Sequence, residues 1–272
     1  MTGKSAKKVN TYLLVGAIMG GIILLLSVVS IFWTPYSPTQ MSAALRFKPP
    51  SFAHIFGTDN FGRDIFSRVM KAIGTSFLIS LFVVLISAVA GILIGAVTGY
   101  FGGVIDAVVM RVVDAINGFP SILLALVIIS ILGKARANVV LALGIAFTPS
   151  FVRIVRGEFI RLRDSDYIVR ARLMGARKRR ILFLHILPNI FSTFWVSVMI
   201  GFNNAILAES GLSYLGIGVQ APDATLGSML SDAQGYLSSA PWYALAPGLT
   251  IVWMVLSAAM LSEGLSRKKK NI

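Results

Sequence analysis

Six long apolar stretches constrain this chain more than any other feature of its sequence. The first, residues 12–33, contains no charged side chain. About 20 apolar residues in a helix cross the hydrocarbon core of a bilayer, where backbone polar groups must be satisfied within the helix itself. Charged residues make up only 13% of the chain, against about 25% in soluble domains. The sequence therefore predicts an all-α, polytopic membrane protein.

The predicted topology has six transmembrane helices, which place both ends of the chain on the same side of the membrane. The spans are residues 12–33, 77–100, 104–132, 139–154, 190–207 and 243–261. Most of the 25 lysines and arginines lie in the two ends and in the connection between spans four and five. Because an excess of Lys and Arg marks the cytoplasmic side, these three regions are expected to be cytoplasmic.

This orientation divides the chain into five parts. Residues 1–11 and 266–272 are basic cytoplasmic ends, and residues 12–33 are the first transmembrane helix. Residues 34–76 form an extracytoplasmic loop with a smaller basic group, and residues 77–265 form a five-helix core with a cytoplasmic loop at about 156–188. The net charge of +14 follows from membrane topology, so nucleic acid is not an expected partner.

Residue types suited to catalysis or metal binding are scarce. The chain has no cysteine and two histidines, His54 and His185, which are far apart in sequence. Disulfides and thiolate metal centres are excluded, and a histidine metal centre is not expected. Residues 3–5, Gly-Lys-Ser, resemble the end of a phosphate-binding loop, but the upstream glycine and the preceding strand are missing. We therefore expect no metal, cofactor or ATPase site on this chain.

Three charged residues, Asp106, Arg111 and Asp114, fall within the third span. Arg111 and Asp114 are three positions apart on one helical face, which predicts an ion pair between them. Such a pair inside a membrane indicates a functional site. The alternative is that this long span leaves its first turns among the lipid headgroups, and the sequence leaves both interpretations open.

Small residues and prolines predict how the spans pack. Gly91, Gly95 and Gly99 recur every four residues, a spacing that lets helix backbones approach closely. Their contact could be made within this chain or with another subunit. Pro120 and Pro149 each remove a backbone hydrogen bond, so spans three and four are expected to bend.

Residues 57–74 predict an amphipathic helix at the outer membrane interface, before span two. Thr58, Asp59 or Asn60 could cap its first turn. The apolar residues expected to share one face are Phe61, Ile65, Val69 and Ile73. The polar residues expected to lie away from that face are Arg63, Ser67, Arg68 and Lys71.

The cytoplasmic loop predicts a short helix followed by a turn. Asp164, Ser165 or Asp166 could cap its start, and a glycine at position 175 is suited to end it. Tyr167, Ala171 and Met174 follow helical spacing along one stripe. A second helical stretch, residues 177–187, leads to Pro188 and span five. The loop could be a solvated basic face or a docking element for a soluble partner, and both remain open.

The cytoplasmic loop resembles the signature of the permease family of bacterial ATP-binding-cassette importers. That signature is Glu-Ala-Ala, three residues, Gly, and about nine residues later Ile-x-Leu-Pro. Ala171, Gly175 and residues 186–189, Ile-Leu-Pro-Asn, match it. Val169 and Arg170 stand where the family has the glutamate and the first alanine, which removes any polar contact that the glutamate would make.

Other stretches resemble the second permease of dipeptide, oligopeptide and nickel systems. Residues 57–64 are similar to the family's Gly-Thr-Asp-x-x-Gly-Arg-Asp motif, and residues 208–222 to its Glu-x-x-Leu-Ser-Phe-Leu-Gly-Leu-Gly run. Residues 110–114, 118–120, 239–242 and 247–248 continue the likeness. The resemblance covers most of the chain.

This resemblance implies a non-catalytic subunit with the six-helix fold of type I importers in the bacterial inner membrane. Its implied partners are a homologous permease, two ATPase subunits that carry ATP and Mg²⁺, and an extracytoplasmic binding protein for peptides or nickel. The implied ATPase-docking residues are Asp166, Tyr167, Ala171, Met174, Gly175, Ala176, Arg177 and Pro188. The implied extracytoplasmic motif is Gly57, Thr58, Asp59, Gly62, Arg63 and Asp64. The implied outer loop or gate includes Glu209, Leu215, Gly216 and Gly218.

Two other function classes compete with this interpretation. A self-sufficient secondary transporter or channel predicts inverted repeats or charges deep in several spans, and only one span here carries charges. An intramembrane enzyme needs a nucleophile, a base or a metal set, for which this sequence offers little.

Overall fold

A computed structural model of the protein describes residues 10–177, 180–220 and 223–270. Outside this described part lie residues 1–9 with their predicted basic side chains, Lys178 and Arg179 of the cytoplasmic loop, residues 221–222 at the end of the 208–222 motif, and residues 271–272. Its α-helices are α1 (Thr11–Phe32), α2 (Ile65–Phe101), α3 (Gly103–Asn117), α4 (Ser121–Leu132), α5 (Arg136–Arg163), α6 (Asp166–Leu173), α7 (Leu187–Tyr214), α8 (Leu226–Ala233) and α9 (Pro241–Lys270). Short 3-10 turns occupy Ala43–Leu45 and Gln234–Tyr236, and a π-helical turn, Ile181–Ile186, precedes α7.

By length and composition, the described residues contain four helices that can cross a membrane, or up to six spans if each of two bent helix pairs is one span. The helices α1, α2, α5 and α9 are each long and apolar enough to cross a bilayer. The bent pairs are α3 with α4, at 87°, and the two parts of the segment around α7, at 48°; the predicted six spans require each pair to cross the membrane as one span. The bend between α3 and α4 falls next to Pro120, as predicted, because a proline at a helix start cannot continue the preceding turn.

Contacts between helix ends define the two ends of the bundle. Asn10 Nδ2 donates to the carbonyl of Gly264 over 2.6 Å, which joins the start of α1 to the end of α9. We call this the terminal end, and α6 lies there because α5 runs toward it and α7 runs away from it. At the opposite end, the backbone N–H of Tyr36 donates to Ser67 Oγ over 3.1 Å. We call that side, with residues 33–64 and α8, the loop end.

The three glycines of α2 face α5 of the same chain. A Cβ at Gly95 would stand 2.8 Å from the carbonyl oxygen of Val152, and one at Gly99 would stand 2.7 Å from Cβ of Phe159. A Cβ at Gly91 would overlap Phe151. The absence of side chains therefore lets α2 and α5 pack backbone to backbone. Of the two contacts that the sequence left open, this structure has the one within the chain.

The structure corrects four details of the predicted elements. The predicted cap at residues 58–60 is wrong, because Asp64 caps α2 through the backbone N–H of Ser67. From there α2 continues to Phe101 without a break between residues 76 and 77. The side chains of Ser67 and Arg68, predicted to lie on the polar outer face, are buried. The helix α5 also continues through Pro149 to Arg163.

Candidate functional site

The short helix α6 at the terminal end stops in the way that its sequence predicts. Gly175 adopts a φ of +81°, a left-handed conformation that favours glycine. Its backbone N–H donates to the carbonyl of Arg172, and the N–H of Ala176 donates to that of Ala171, both over 3.0 Å. This pair of bonds is a Schellman motif, which satisfies carbonyl groups that the helix end leaves free.

One buried residue and one side-chain bond fix α6 against the bundle. Ile168 is completely buried and packs in the core that contains Ile181 and Ile186. Asn189 Nδ2, in the first turn of α7, donates to the Tyr167 hydroxyl over 3.3 Å. These contacts hold the helix in place while its far end projects from the protein.

Two large apolar side chains stand at the projecting end of α6. Leu173 is 83% exposed and Met174 is 87% exposed. The arginines Arg170, Arg172 and Arg177 around them are exposed as well. We call Leu173, Met174 and these arginines the apolar tip of α6.

The other residues of the predicted docking set divide between surface and interior. Asp166, Tyr167, Met174, Gly175, Arg177 and Pro188 are exposed, whereas Ala171 and Ala176 are partly buried. The predicted stripe is therefore interrupted at Ala171. Sequence reasoning missed Leu173, because a single leucine in a helix is more often a core residue than an exposed one.

The two aspartates of α3, Asp106 and Asp114, pair with arginines of α5 and not with Arg111 of their own helix. Asp106 accepts hydrogen bonds from Nε and Nη2 of Arg156, each over 2.6 Å. Asp114 accepts one from Nη2 of Arg153 over 2.7 Å. The predicted pair between Arg111 and Asp114 is wrong. Arg111 is exposed, and Asp114 pairs instead with Arg153 of the neighbouring helix α5. Both pairs bind the amphipathic α3 to the helix that leads directly into α6.

At the loop end, residues 57–64 form a tight turn around a buried carboxylate. Asp59 is completely buried. Its Oδ1 accepts from the backbone N–H groups of Phe61 over 2.8 Å and Arg63 over 2.9 Å, and its Oδ2 accepts from Arg63 Nε over 2.6 Å. Gly62, with a φ of +74°, lies against the carbonyl of Ser42, where a Cβ would overlap.

The ends of this turn are fixed by Thr58 and Asp64, which pair through a β-bridge. Thr58 donates to the carbonyl of Leu45. Asp64 caps α2, and its Oδ1 lies 2.9 Å from Nδ1 of His54. Gly57 is buried beside the carbonyl of Lys48. The motif of residues 57–64 is thus a folded element that positions the first turn of α2.

The predicted gate residues lie at the end of α7. Glu209 is inside that helix and completely buried, so its placement in an outer loop is wrong; its Oε1 accepts from Ser213 Oγ over 2.8 Å. Beyond it, Leu215 and Gly216 are exposed. The backbone N–H of Gly218 turns back to the carbonyl of Leu212 over 3.0 Å.

A polar cavity of about 520 Å³ opens between these elements at the loop end. We call it the loop-end cavity. It is lined by Thr39, Met41, Arg63, Arg68, Ser213, Gly216, Val219, Gln220, Asp223, Ser228, Ser231 and Asp232. It brings Arg63 of one predicted motif next to Gly216 of another, although more than 150 residues separate them in sequence.

The guanidinium of Arg68 in this cavity is only loosely paired. Arg68 Nε lies 3.7 Å from Asp59 Oδ2, and Arg68 Nη2 lies 3.7 Å from Asp232 Oδ2, distances too long for hydrogen bonds. Partial burial raises the pKa of the Asp232 carboxyl, and the neighbouring Arg68 partly offsets that shift. The sequence analysis placed Arg68 on a polar helix face and predicted no site that includes Asp232, because only the fold brings α2 and α8 together.

A family model described as the inner membrane component of binding-protein-dependent transport systems matches residues 91–271. The chain belongs to this family. It is also 38% identical to the dipeptide transport system permease protein DppC of Alkalihalophilus pseudofirmus, over 96% of this chain and 86% of that protein. The proteins of the same name from Haemophilus influenzae and Escherichia coli are 35% and 38% identical, each over 95% of this chain, with 90% and 88% of their own lengths covered.

These likenesses confirm the predicted family and the all-α, multi-pass membrane fold. The chain is a permease subunit of an ABC importer and is not itself an enzyme. A self-sufficient secondary transporter is not favoured. The sites described above are therefore parts of a permease that works with other subunits.

Proposed function

We propose that this permease forms half of a translocation pathway for short peptides and receives its energy from ATPase subunits bound at α6. The peptide assignment is supported by the relatives, which are named as dipeptide or peptide permeases and match most of this chain. The other half of the pathway is a homologous permease. ATP and Mg²⁺ belong to the ATPase subunits, and this chain contributes no cofactor.

The observation that carries the docking role is the apolar tip of α6. Exposing a leucine and a methionine to water costs about 1.5–3 kcal/mol each relative to burying them. Both side chains project from a helix that Ile168 anchors in the core, so their exposure is a fixed feature of the fold. A hydrophobic groove on an ATPase subunit would cover Leu173 and Met174, and acidic residues at its rim would pair with the surrounding arginines.

Charge supports the orientation of the subunit. The terminal end carries α6 and the basic tail, so the positive-inside rule assigns it to the cytoplasm, where ATP is available. The loop end then faces outward, toward a binding protein that delivers the substrate. This placement puts the apolar tip and the loop-end cavity on opposite sides of the membrane.

The path from α6 into the membrane is short. Only Asp164 and Ser165 separate α6 from α5, and α5 packs closely along α2 and is bound to α3 through Arg156. A shift of α6 on its ATPase would therefore move α5 and the helices attached to it. Alternating access would follow from such movements in the two paired permeases.

The docking role is tested by replacing Leu173 and Met174 together with serine in the complete transporter. Because both side chains are exposed, the variant is expected to insert and fold normally but to lose co-purification with the ATPase subunits and ATP-driven peptide uptake. Val104→Ser is the matched control, since Val104 is 79% exposed on α3 at the same end. Wild-type uptake by the double variant would contradict the docking role.

Substrate class is tested with the complete transporter reconstituted in proteoliposomes. Import of a labelled dipeptide should require ATP and the binding protein. Nickel ion, the comparison substrate, should not be imported under the same conditions. The permease reconstituted alone should transport neither. Solute flux through the permease alone would contradict the proposed division of labour.

A further inference from the structure

The loop-end cavity contains a buried cation without a hydrogen-bonded partner. The Arg68 side chain is only 7% exposed, and it donates no hydrogen bond to any residue that the structure describes. Its carboxylate neighbours, Asp59 and Asp232, both lie 3.7 Å away. Its Nε is buried and has no hydrogen-bond acceptor among the described residues, and an unsatisfied buried donor is costly. Arg68 is therefore suited to receive a carboxylate from a ligand, with bidentate geometry.

Arg63 reinforces this positive side of the cavity. Its Nε is engaged by Asp59 over 2.6 Å, but its Nη2 is buried without a partner among the described residues. Asp59 is thus shared by two guanidinium groups, and one carboxylate cannot saturate both. The turn of residues 57–64 positions Arg63 and the first turns of α2 position Arg68, so both arginines are in place before any ligand arrives.

Carboxylates supply the opposite charge in the same cavity. Asp223 is exposed, and the Asp232 side chain is 46% exposed, so both remain accessible to a ligand cation. Hydroxyl and amide groups of Ser228, Ser231 and Gln220 complete the polar lining. A ligand that carries one carboxylate and one ammonium group matches this distribution of charge.

Size and position agree with a small zwitterion. A volume of about 520 Å³ falls within the range of roughly 300–1,000 Å³ that is usual for small-molecule sites. The cavity is bounded by Gly216 and Val219, at the end of α7, where the chain leaves the membrane-spanning helix. A ligand bound there would lie beside the end of α7 and in contact with α8.

We propose that the loop-end cavity is a transient binding site for short zwitterionic peptides on their way into the pathway. Arg68, assisted by Arg63, binds the C-terminal carboxylate, and Asp223 and Asp232 attract the N-terminal ammonium group. This inference rests on the proposed function, because it takes a peptide as the substrate. It adds a specificity for free peptide termini within the permease itself.

The test uses the complete transporter in lipid nanodiscs without its binding protein, and saturation-transfer NMR with the dipeptide Ala-Phe as the probe. The wild type is expected to bind Ala-Phe more tightly than its C-terminal amide. Arg68→Gln should weaken binding of Ala-Phe by about tenfold or more, the usual effect of losing a charge-assisted hydrogen bond, and should leave binding of the amide unchanged. A purely structural role of Arg68 would lower both affinities, so equal losses would overturn the proposal.

Further variants keep the test decisive. Arg111→Gln, an exposed arginine at the opposite end, is the matched control and should bind Ala-Phe as the wild type does. Asp232→Asn, at a half-exposed site, should weaken binding of Ala-Phe but not of N-acetyl-Ala-Phe. If Arg68→Gln fails to fold, the Asp232→Asn variant and the comparison of Ala-Phe with its amide on the wild type still test whether the cavity binds peptide termini. Equal binding of acid and amide by the wild type would overturn the proposal.

Two parallel measurements separate the possible failures. ATP-driven uptake of Ala-Phe by the wild type in proteoliposomes, with the binding protein present, tests the proposed function. Uptake without selective binding in the cavity would overturn only the present inference, whereas absent uptake would contradict peptide transport itself. The affinity of the binding protein for the nanodisc complex is measured as well. If Arg68→Gln weakened that affinity and left Ala-Phe binding intact, the cavity would be a docking surface for the binding protein and the proposal would be wrong.

Discussion

Arg156 on α5 donates two hydrogen bonds, each 2.6 Å long, to the two carboxylate oxygens of Asp106 on α3. This bidentate arrangement fixes both the distance and the angle between the two helices. Since α5 leads into α6 through two residues, the pair connects the amphipathic α3 to the proposed docking helix. Arg153 and Asp114 add a second, more exposed contact between the same helices.

The first prediction is that the Arg156–Asp106 pair couples α3 to α5. Arg156→Lys, which keeps the charge but loses the forked geometry, should cost about 1 kcal/mol of stability. Asp106→Asn should cost a similar amount, and the double variant should cost less than the sum. Thermal unfolding of the purified complex measures these values. Arg111→Gln, at an exposed arginine of α3, is the control; additive single losses would contradict direct coupling.

The second prediction concerns Gly175. A Cβ there would meet no atom within 4 Å, so its requirement for glycine comes from the φ of +81° alone. Gly175→Val should therefore shift the end of α6 and uncouple ATP hydrolysis from uptake, at a conformational cost of about 1–2 kcal/mol. Gly175→Asn should retain most activity, since asparagine tolerates this conformation. ATPase rate and uptake are measured together, and equal activity of the two variants would refute the explanation.

The third prediction concerns the packing of α2 on α5. Gly91→Ala should destabilise the bundle, because the new methyl group would overlap Phe151. Gly157→Ala on α5 should instead be neutral or stabilising by up to about 1 kcal/mol, because open space surrounds that position and alanine favours the helix. Thermal unfolding in detergent compares the two variants. A Gly91→Ala protein as stable as Gly157→Ala would mean that the two helices are not in close contact.

The fourth prediction concerns Asp59. Removing this buried carboxylate by Asp59→Ala leaves Arg63 without its 2.6 Å partner and should cost about 3–5 kcal/mol of stability. Loss of folded protein on size-exclusion chromatography and a lowered melting temperature are the expected results. Asp223→Ala, at an exposed position in the same region, should change stability by no more than about 0.5 kcal/mol. Similar stability of the two variants would show that residues 57–64 do not depend on this carboxylate.

Local signals were enough to predict much of this protein. The long apolar helices followed from the length of the apolar stretches, because the bilayer fixes how many residues a helix needs to cross it. The end of α6 at Gly175 followed from the glycine itself, since few other residues adopt its backbone conformation. Proline at position 120 predicted the break between α3 and α4, and the orientation assigned from the basic residues stays a prediction.

Pairings between distant residues needed the fold. The sequence placed Arg111 beside Asp114 because helical spacing is a local property, whereas Arg153 reaches Asp114 from a helix that only tertiary packing brings near. In the same way, spacing predicted a polar outer face containing Arg68, but that side chain is buried, with Asp59 and Asp232 each 3.7 Å away.

The sequence by itself thus determined the fold class, the positions of the apolar helices and the end of α6, because each depends on the chain within a few turns. Only the tertiary structure decided which charges meet, which apolar side chains stay exposed at the apolar tip, and that Arg68 and Asp232 line one cavity. The physical reason is that burial and Coulomb interactions depend on distance in space, and residues far apart in sequence become neighbours only after the helices pack.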